Sequence, residues 1–147
     1  MSKSMYERTE FQYRGYFIGN MYLSPIQQGI QAAHVIQDMY TRLAYSHGGA
    51  KIFIDWMNCD RTMILLNGGY QSSLEALYED FKRLTNNGAH YPIGAFREEQ
   101  EALNGCMTSV GIILPKRVYN FEINDPTLSE IDIEFNLYSR IRSFRLA

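Results

Sequence analysis

The chain has 147 residues and carries 14 Lys and Arg against 16 Asp and Glu, which gives a formal charge of −2. This length predicts one domain over residues 1–147, with a sizeable core, and the 46% hydrophobic content excludes a disordered chain. The near-neutral charge argues against a protein that binds duplex nucleic acid through a broad basic face. The apolar runs are far shorter than the roughly 20 residues of a membrane-spanning helix, and the N-terminus lacks the apolar core of a signal peptide. We therefore predict a cytoplasmic protein without a membrane contact.

Cysteine and histidine spacing gives no sign of a metal site. Cys59 and Cys106 lack the CxxC spacing, and His47 and His90 have no second ligand at metal spacing. We therefore expect neither a metal nor a cofactor. The unusual feature is the aromatic content of 14%, in which 11 Tyr dominate. Tyrosines can fill a core, form oligomer contacts or offer flat faces to bases, and composition does not separate these uses.

The first elements in chain order are a strand and a well-marked helix. Residues 11–23 are aromatic-rich and predict a strand. Ser24 then caps a helix that starts at Pro25, and Gln27 at the third helical position completes a capping box. Apolar residues recur at steps of three or four over about five turns and predict the buried face of this helix. These residues are Ile26, Ile30, Ala33, Ile36, Tyr40 and Leu43.

The middle of the chain alternates strands with a second helix. Trp56 is assigned to a short connecting segment, and Ser72 with Glu75 indicates another capping box. The remaining elements are a strand at 62–66, a helix that ends near 86–88, strands at 91–96 and 108–114, and a short helical or looped segment at 97–103 between those two strands. The order predicts an α/β fold with a mixed sheet of about four strands and helices on both faces.

The C-terminal part, 118–147, is interpreted as an extension of the α/β core at 11–117. Alternating apolar and polar residues over 131–137 fit a half-buried strand. A helix behind Thr127 and Glu130 fits as well, with an apolar face. That face consists of Leu128, Ile131, Phe135, Tyr138, Ile141 and Phe144. We favour the strand followed by a short basic terminus, either as an oligomer arm or as a simple addition to the sheet edge.

Neighbouring third and fourth strands would bring a group of side chains to one end of the sheet. Phe96 ends the third strand, and Asn104 and Thr108 flank the start of the fourth. Ends of strands are where open α/β sheets often bind ligands, and an aromatic face with an amide suits an adenine or guanine ring. Core packing alone would also explain Phe96. The charges for phosphate groups would come from Arg97, Lys116 and Arg117.

Two further residues have both a structural and a functional interpretation. His34 lies in the middle of the first helix, among alanines, and is either a packed histidine or a residue that contacts a ligand. Cys106 has no His and Asp or Asn in a motif around it, so a catalytic thiol is not predicted. The sequence alone therefore predicts a binding site more readily than a catalytic one.

Two motifs resemble type 2 peptidyl-tRNA hydrolases. The stretch Ser24-Pro-Ile-Gln-Gln-Gly-Ile-Gln-Ala-Ala-His34 is similar to the first helix of that family, and 103–115 is similar to its closing Gly-x-x-Thr strand. The resemblance implies the same fold. At the catalytic positions Thr108 is kept, but Gln27 stands where the family has its Lys, and Phe96 stands near its Asp. A hydrolase needs such a cation and carboxylate to position water and stabilise an oxyanion.

A second family fits this pattern of residues better, the first-described phage Thoeris anti-defence proteins. The motifs that carry this resemblance are Leu23-Ser-Pro-Ile-Gln-Gln-Gly-Ile-Gln-Ala-Ala-His34, Trp56, Thr62-Met-Ile-Leu-Leu-Asn-Gly-Gly69, Tyr91-Pro-Ile-Gly-Ala-Phe96, Leu103-Asn-Gly105 and Gly111-Ile-Ile-Leu-Pro115. Those proteins sequester cyclic ADP-ribose isomers, and some members hold cyclic oligonucleotides. The resemblance implies an adenine-stacking Phe96, an amide contact from Asn104, and pyrophosphate-binding arginines at Arg61 and Arg117.

Three hypotheses for function follow. The favoured one is a non-enzymatic sponge in the bacterial host cell, a homo-oligomer (dimer or hexamer) that binds a small cyclic nucleotide signal. The alternative is an esterase similar to peptidyl-tRNA hydrolase. The third is a protein-binding or structural module whose pocket is filled by side chains, in which case Phe96→Ala would create a cavity and no ligand would stabilise the chain.

Overall fold

The computed structural model describes residues 10–43, 49–86, 90–98, 106–120 and 133–147. Its strands are β1 (Tyr13–Gly19), β2 (Met63–Asn67), β3 (Ile93–Arg97), β4 (Met107–Pro115) and β5 (Arg145–Leu146). Its helices are α1 (Pro25–Arg42), α2 (Gly49–Asp55), a π-helical segment (Trp56–Asp60), α3 (Gln71–Asn86), α4 (Lys116–Tyr119) and α5 (Ile133–Arg142). In these ranges no helix has the length and apolar character needed to cross a membrane.

The strands form one mixed sheet in the order β3-β4-β1-β2-β5. The central strand β1 pairs parallel with β2 and antiparallel with β4, and β3 pairs antiparallel with β4. The short strand β5 adds a fifth member beside β2. The mixed α/β sheet predicted from the element order is therefore confirmed, with one edge strand more than expected.

Helices cover both faces of the sheet, as predicted. Phe17 points to the face that α1 and α2 cover, whereas its neighbours Tyr16 and Ile18 point to the face that α3 and α5 cover. Each face has its own buried apolar cluster, as expected for strands whose side chains alternate. The pairing of Gly19 with both Ser109 and Asn67 places the carboxyl ends of β1, β2 and β3 beside the start of β4. We call the end of the sheet where these strand ends meet the Phe96 end, and the end at the other termini of the strands the opposite end.

Helix α1 starts as predicted but buries a different face. The Gln27 amide donates to Ser24 Oγ at 3.2 Å, and the Ser24 amide donates to Gln27 Oε1 at 2.9 Å, which confirms the capping box. The predicted apolar face was wrong, because Ile26, Ile30 and Tyr40 are 77%, 52% and 70% exposed. The side chains that α1 buries are instead Gln28, Gln31, Ala32, Val35 and Met39.

The shape of the sheet explains this orientation of α1. A Cβ atom added at Gly94 would lie 2.7 Å from the Val35 carbonyl oxygen, so the helix backbone rests directly on β3. At Gly111 it would lie 2.8 Å from the Val35 side chain. The side of α1 that carries Val35 is therefore the side that packs on Gly94 and Gly111. Gln31 is buried on the same side, and its amide group is hydrogen-bonded to Glu98 and Thr108.

Gly94→Ala tests this close contact. The added methyl group meets backbone atoms of α1, so the helix must shift, and we expect the free energy of unfolding to fall by about 1–3 kcal/mol. Urea unfolding followed by circular dichroism measures it. The exposed Ser72→Ala is the control and should change stability by less than about 0.5 kcal/mol. Equal stability of the two variants would contradict the contact between α1 and β3.

The C-terminal segment forms a helix, so the favoured strand was wrong for its described part. Residues 133–142 form α5, while 121–132 lie outside the described residues. Leu137, Tyr138 and Ile141 are buried in the core on the α3 face of the sheet. Their spacing of one, three and four is the helical one, and burying this stripe outweighs the alternating pattern of 131–137. The extension therefore contributes to the core, and its role as an oligomer arm stays a prediction.

Two smaller expectations about local structure concern Trp56 and the start of α3. The short segment that connects α2 to β2, to which Trp56 was assigned, is π-helical, and Trp56 is 2% exposed. Helix α3 begins at Gln71, and its first-turn amides at Ser73 and Leu74 donate to the Tyr70 carbonyl oxygen. The Glu75 carboxylate accepts from the Gln71 side chain, where the capping box had predicted a bond to the Ser72 backbone. A turn at Tyr70 thus replaces that capping box.

Buried tyrosines predict that stability falls in alkaline solution. Burial, together with a hydrogen bond from the Tyr16 hydroxyl to Tyr138 at 3.3 Å, raises the pKa of Tyr16 above its usual value. Burial and the neighbouring Glu134 raise the pKa of Tyr91 likewise. The folded chain therefore holds these protons more tightly than the unfolded chain, so the contribution of these tyrosines to stability is full below about pH 10 and is lost as the pH rises above it. Urea unfolding at about pH 8 and about pH 11 measures the loss of unfolding free energy between the two pH values. Tyr16→Phe should make this loss smaller. An equal loss in the variant and the wild type would contradict the role of Tyr16.

Candidate functional site

An aromatic pair lies at the Phe96 end of the sheet. The imidazole of His34, from the middle of α1, stacks on the Phe96 ring with centroids 4.3 Å apart and planes inclined by 15°. His34 Nδ1 lies 3.1 Å from Gln37 Oε1 on the same helix, which orients the imidazole. Both rings are half-buried. His34 and Phe96, chosen separately from the sequence, are thus brought into direct contact.

A chain of hydrogen bonds runs beside this pair. The Thr108 hydroxyl is 2% exposed and directs its one proton toward either Gln31 Oε1 at 3.3 Å or the Phe96 carbonyl oxygen at 3.4 Å. The Gln31 amide nitrogen donates to Glu98 Oε1 at 2.8 Å. Thr108 therefore lies next to Phe96, as its position at the start of β4 suggested. The chain joins a hydroxyl, an amide and a carboxylate within one small region.

Sequence reasoning missed Gln31 and Glu98 as members of this group. Gln31 lies on the buried face of α1, which the apolar spacing had assigned to solvent. Glu98 follows β3 in the segment 97–103, which had been predicted as helical or looped, and its amide donates to the Cys106 carbonyl oxygen at 2.9 Å. The available signal was the Gln31-x-x-His34 spacing, because residues three apart on a helix share one side.

Arg97 lies on the other face of the sheet from Phe96. Its guanidinium donates to Glu75 Oε1 at 2.7 Å, on α3, and this hydrogen bond lowers the pKa of Glu75. It lines a cavity of about 640 Å³ between α3 and β3, together with Arg42 and Lys82. Consecutive strand residues point to opposite faces, so Arg97 does not join the Phe96 group.

The other two predicted arginines lie at the opposite end of the sheet. Arg61 follows the π-helical segment in a left-handed conformation with φ of 54°, and its Nε donates to the Met57 carbonyl oxygen at 2.9 Å. Arg117 is in α4, after the end of β4, where it donates to the Tyr91 hydroxyl at 2.8 Å and pairs with Glu134. One copy of the chain therefore does not bring these arginines to Phe96. Asn104 lies outside the described residues.

The arrangement at the Phe96 end suits recognition of a planar heteroaromatic group. An aromatic ring offers a surface for a base, and the Glu98 carboxylate, which the Gln31 amide holds in place, can accept a hydrogen bond at the edge of the base. In the described ranges, no group of three His, Cys, Asp or Glu side chains is placed to hold a metal ion.

The comparisons with known proteins add nothing to this geometry. No protein-family model matches the sequence, and no curated protein matches it either. The resemblance to the two families named above therefore stays a prediction that rests on the quoted motifs.

Proposed function

We propose that this protein binds a cyclic ADP-ribose-type nucleotide at the Phe96 end of its sheet and holds it without cleaving it. This is the activity of the Thoeris anti-defence proteins that the sequence resembles. The single observation that carries the proposal is the His34 and Phe96 stack beside the Thr108–Gln31–Glu98 chain. Those groups match the face and the edge of an adenine base.

Stacking and edge contacts supply the affinity for the base. A base on an aromatic ring contributes about 1–3 kcal/mol. Glu98 accepts from an exocyclic amino group such as that of adenine, because a carboxylate offers only acceptors. Gln31 and Thr108 stay hydrogen-bonded to each other and keep Glu98 in place.

The phosphates of such a ligand need cations, and none of the three arginines predicted for them reaches the Phe96 face within one copy. Arg61 and Arg117 lie at the opposite end, and Arg97 faces α3. A second copy of the chain is therefore required if Arg61 or Arg117 contacts the pyrophosphate. The proposal accordingly includes a homo-oligomer. Because the net charge is −2, we expect a few local arginines, and not a broad basic surface, to bind the phosphates.

A thermal-shift screen against cyclic ADP-ribose isomers and cyclic di- and trinucleotides tests the proposal. A ligand at 100 times its dissociation constant adds about 2.7 kcal/mol of stability, which raises the melting temperature by several degrees. Ligand recovered unchanged after heat denaturation of the complex supports holding without cleavage. Stabilisation by none of these compounds would contradict the proposal.

Glu98 favours one second candidate, an esterase that acts on peptidyl-tRNA or another acyl-nucleotide. It supplies a carboxylate near Thr108 that the sequence motifs had not identified, and a carboxylate can orient water for attack on an ester. Gln27, at the position of the hydrolase lysine, is exposed and engaged in the helix cap. Release of free peptide from peptidyl-tRNA, and its loss in Glu98→Gln, would support this candidate.

A further inference from the structure

Helix α1 carries an apolar stripe that the fold leaves in solvent. Ile26, Ile30 and Tyr40 are more than half exposed, and Ala33 lies between them on the same side. The stripe continues into a groove of about 670 Å³ between α1 and α2. The groove adds Ile54, Met57 and Met63, each 43% exposed. We call these side chains together the α1 stripe.

The α1 stripe is as large as the largest apolar patches that monomers expose. Its six large side chains offer on the order of 600 Å² of accessible surface, at the upper limit for a monomer and close to the roughly 800 Å² per partner of a stable interface. Contact between Tyr40 and Phe53, with ring centroids 6.4 Å apart, makes the helix and the groove one continuous surface.

Gly29 at the centre of the stripe points to a close neighbour. A Cβ atom added there would meet nothing within 4 Å, so packing inside one chain does not require glycine at this position. Glycine in the middle of a helix is unfavourable relative to alanine. With Ala33 one turn later, it forms a shallow notch between Ile26, Ile30 and Tyr40. A second helix can approach such a notch more closely than a surface of large side chains.

The charge pattern indicates which partner fits. Residues 25–37 contain no Asp, Glu, Lys or Arg, although a solvent-facing helix normally carries several. Arg61 lines the groove, but along 25–37 a strongly charged partner would find no charge to pair with, whereas two copies of this helix face meet there without repulsion. Depletion of charge is also typical of the centre of an interface.

We propose that a second copy of the chain packs on the α1 stripe, with two α1 helices crossing about a two-fold axis near Gly29 and Ala33. Such an isologous contact places each notch against the other and buries Ile30 and Tyr40 of both copies. This inference rests on the proposed function and deepens it, because it supplies the second copy through which Arg61 or Arg117 would contact the pyrophosphate. The assembly itself needs no ligand.

Sedimentation equilibrium of the full chain without ligand, at roughly 1 to 100 μM, tests the assembly. We expect an oligomer for the wild type and a dissociation constant at least roughly tenfold higher for Ile30→Glu and for Gly29→Leu. Leucine has room at position 29 in one chain and favours the helix, so this variant should fold. Ser72→Glu, exposed at the start of α3 on the other face, is the matched control and should leave the dissociation constant unchanged.

Cross-linking gives a second readout, which does not require a variant that weakens the association of the two copies. Ala33→Cys should form a disulfide between two copies under mild oxidation, since a disulfide needs Cα atoms within about 7 Å, and Ser72→Cys should not. A monomeric wild type would overturn the inference, and so would an oligomer that both stripe variants leave unchanged. An intact oligomer that binds no cyclic nucleotide would instead overturn the proposed function alone.

Discussion

Trp56→Ala should lower the free energy of unfolding by about 3–5 kcal/mol, the cost of removing a large side chain from a core. Trp56 is 2% exposed, and its ring centroid lies 6.1 Å from those of both Phe17 and Phe53. Its indole nitrogen donates to the Thr62 carbonyl oxygen at 3.0 Å. The side chain thus packs the helical segment before β2 against the sheet. A loss of this size is a large part of the free energy of unfolding of an ordinary domain.

Urea unfolding followed by circular dichroism measures this loss, because the variant lacks the one tryptophan of the chain. Phe11→Ala is the matched control, since Phe11 is 63% exposed and only its backbone oxygen accepts a hydrogen bond from Tyr119. This control should change stability by less than about 0.5 kcal/mol. A loss below about 1 kcal/mol for Trp56→Ala would contradict the packing of the π-helical segment on the sheet.

Phe96→Ala should weaken binding of a cyclic ADP-ribose-type ligand by about 10- to 100-fold, because base stacking contributes about 1–3 kcal/mol and 1.4 kcal/mol corresponds to tenfold. Phe96 is half-buried and contacts His34, so the cost in stability should be smaller than that of Trp56→Ala. If Phe96 instead only fills a structural pocket, Phe96→Ala should cause a large loss of stability, and neither the wild type nor the variant should bind the ligand.

Arg97→Ala is the control that the structure offers for this experiment. Arg97 is the next residue along β3, but its guanidinium pairs with Glu75 on the other face of the sheet. We therefore expect the affinity of Arg97→Ala to stay within about twofold of the wild type, since an exposed ion pair contributes little. Titration calorimetry on both variants measures the contrast. Equal effects at the two positions would contradict the assignment of the site to the Phe96 face.

Local signals made most of the fold predictable. The Ser24, Pro25 and Gln27 cap predicted the start of α1, and each of the four strands predicted within 11–117 overlaps an observed one. These signals are local because capping bonds and strand-ending residues act within a few positions. Longer-range packing decided the rest. Which face α1 buries depends on Gly94 and Gly111 beneath it, about 60 residues or more away in the sequence.

The difference between local signals and longer-range packing also explains which residues of the site were predicted. His34, Phe96 and Thr108 could be proposed together because neighbouring strands and the first helix of an α/β unit converge at one sheet end. The faces of the sheet could not be assigned so readily. Arg97 was proposed with Phe96 although consecutive strand residues point to opposite faces, and α5, which pairs Arg117 with Glu134, had been expected as a strand.

Calorimetric titration of the full chain with cyclic ADP-ribose isomers, followed by analysis of the released ligand, tests the central claim most directly. We expect saturable binding and a ligand recovered chemically intact, because the proposed site recognises the base and turns nothing over. Absence of binding to every isomer would contradict the claim, and so would recovery of a hydrolysed product.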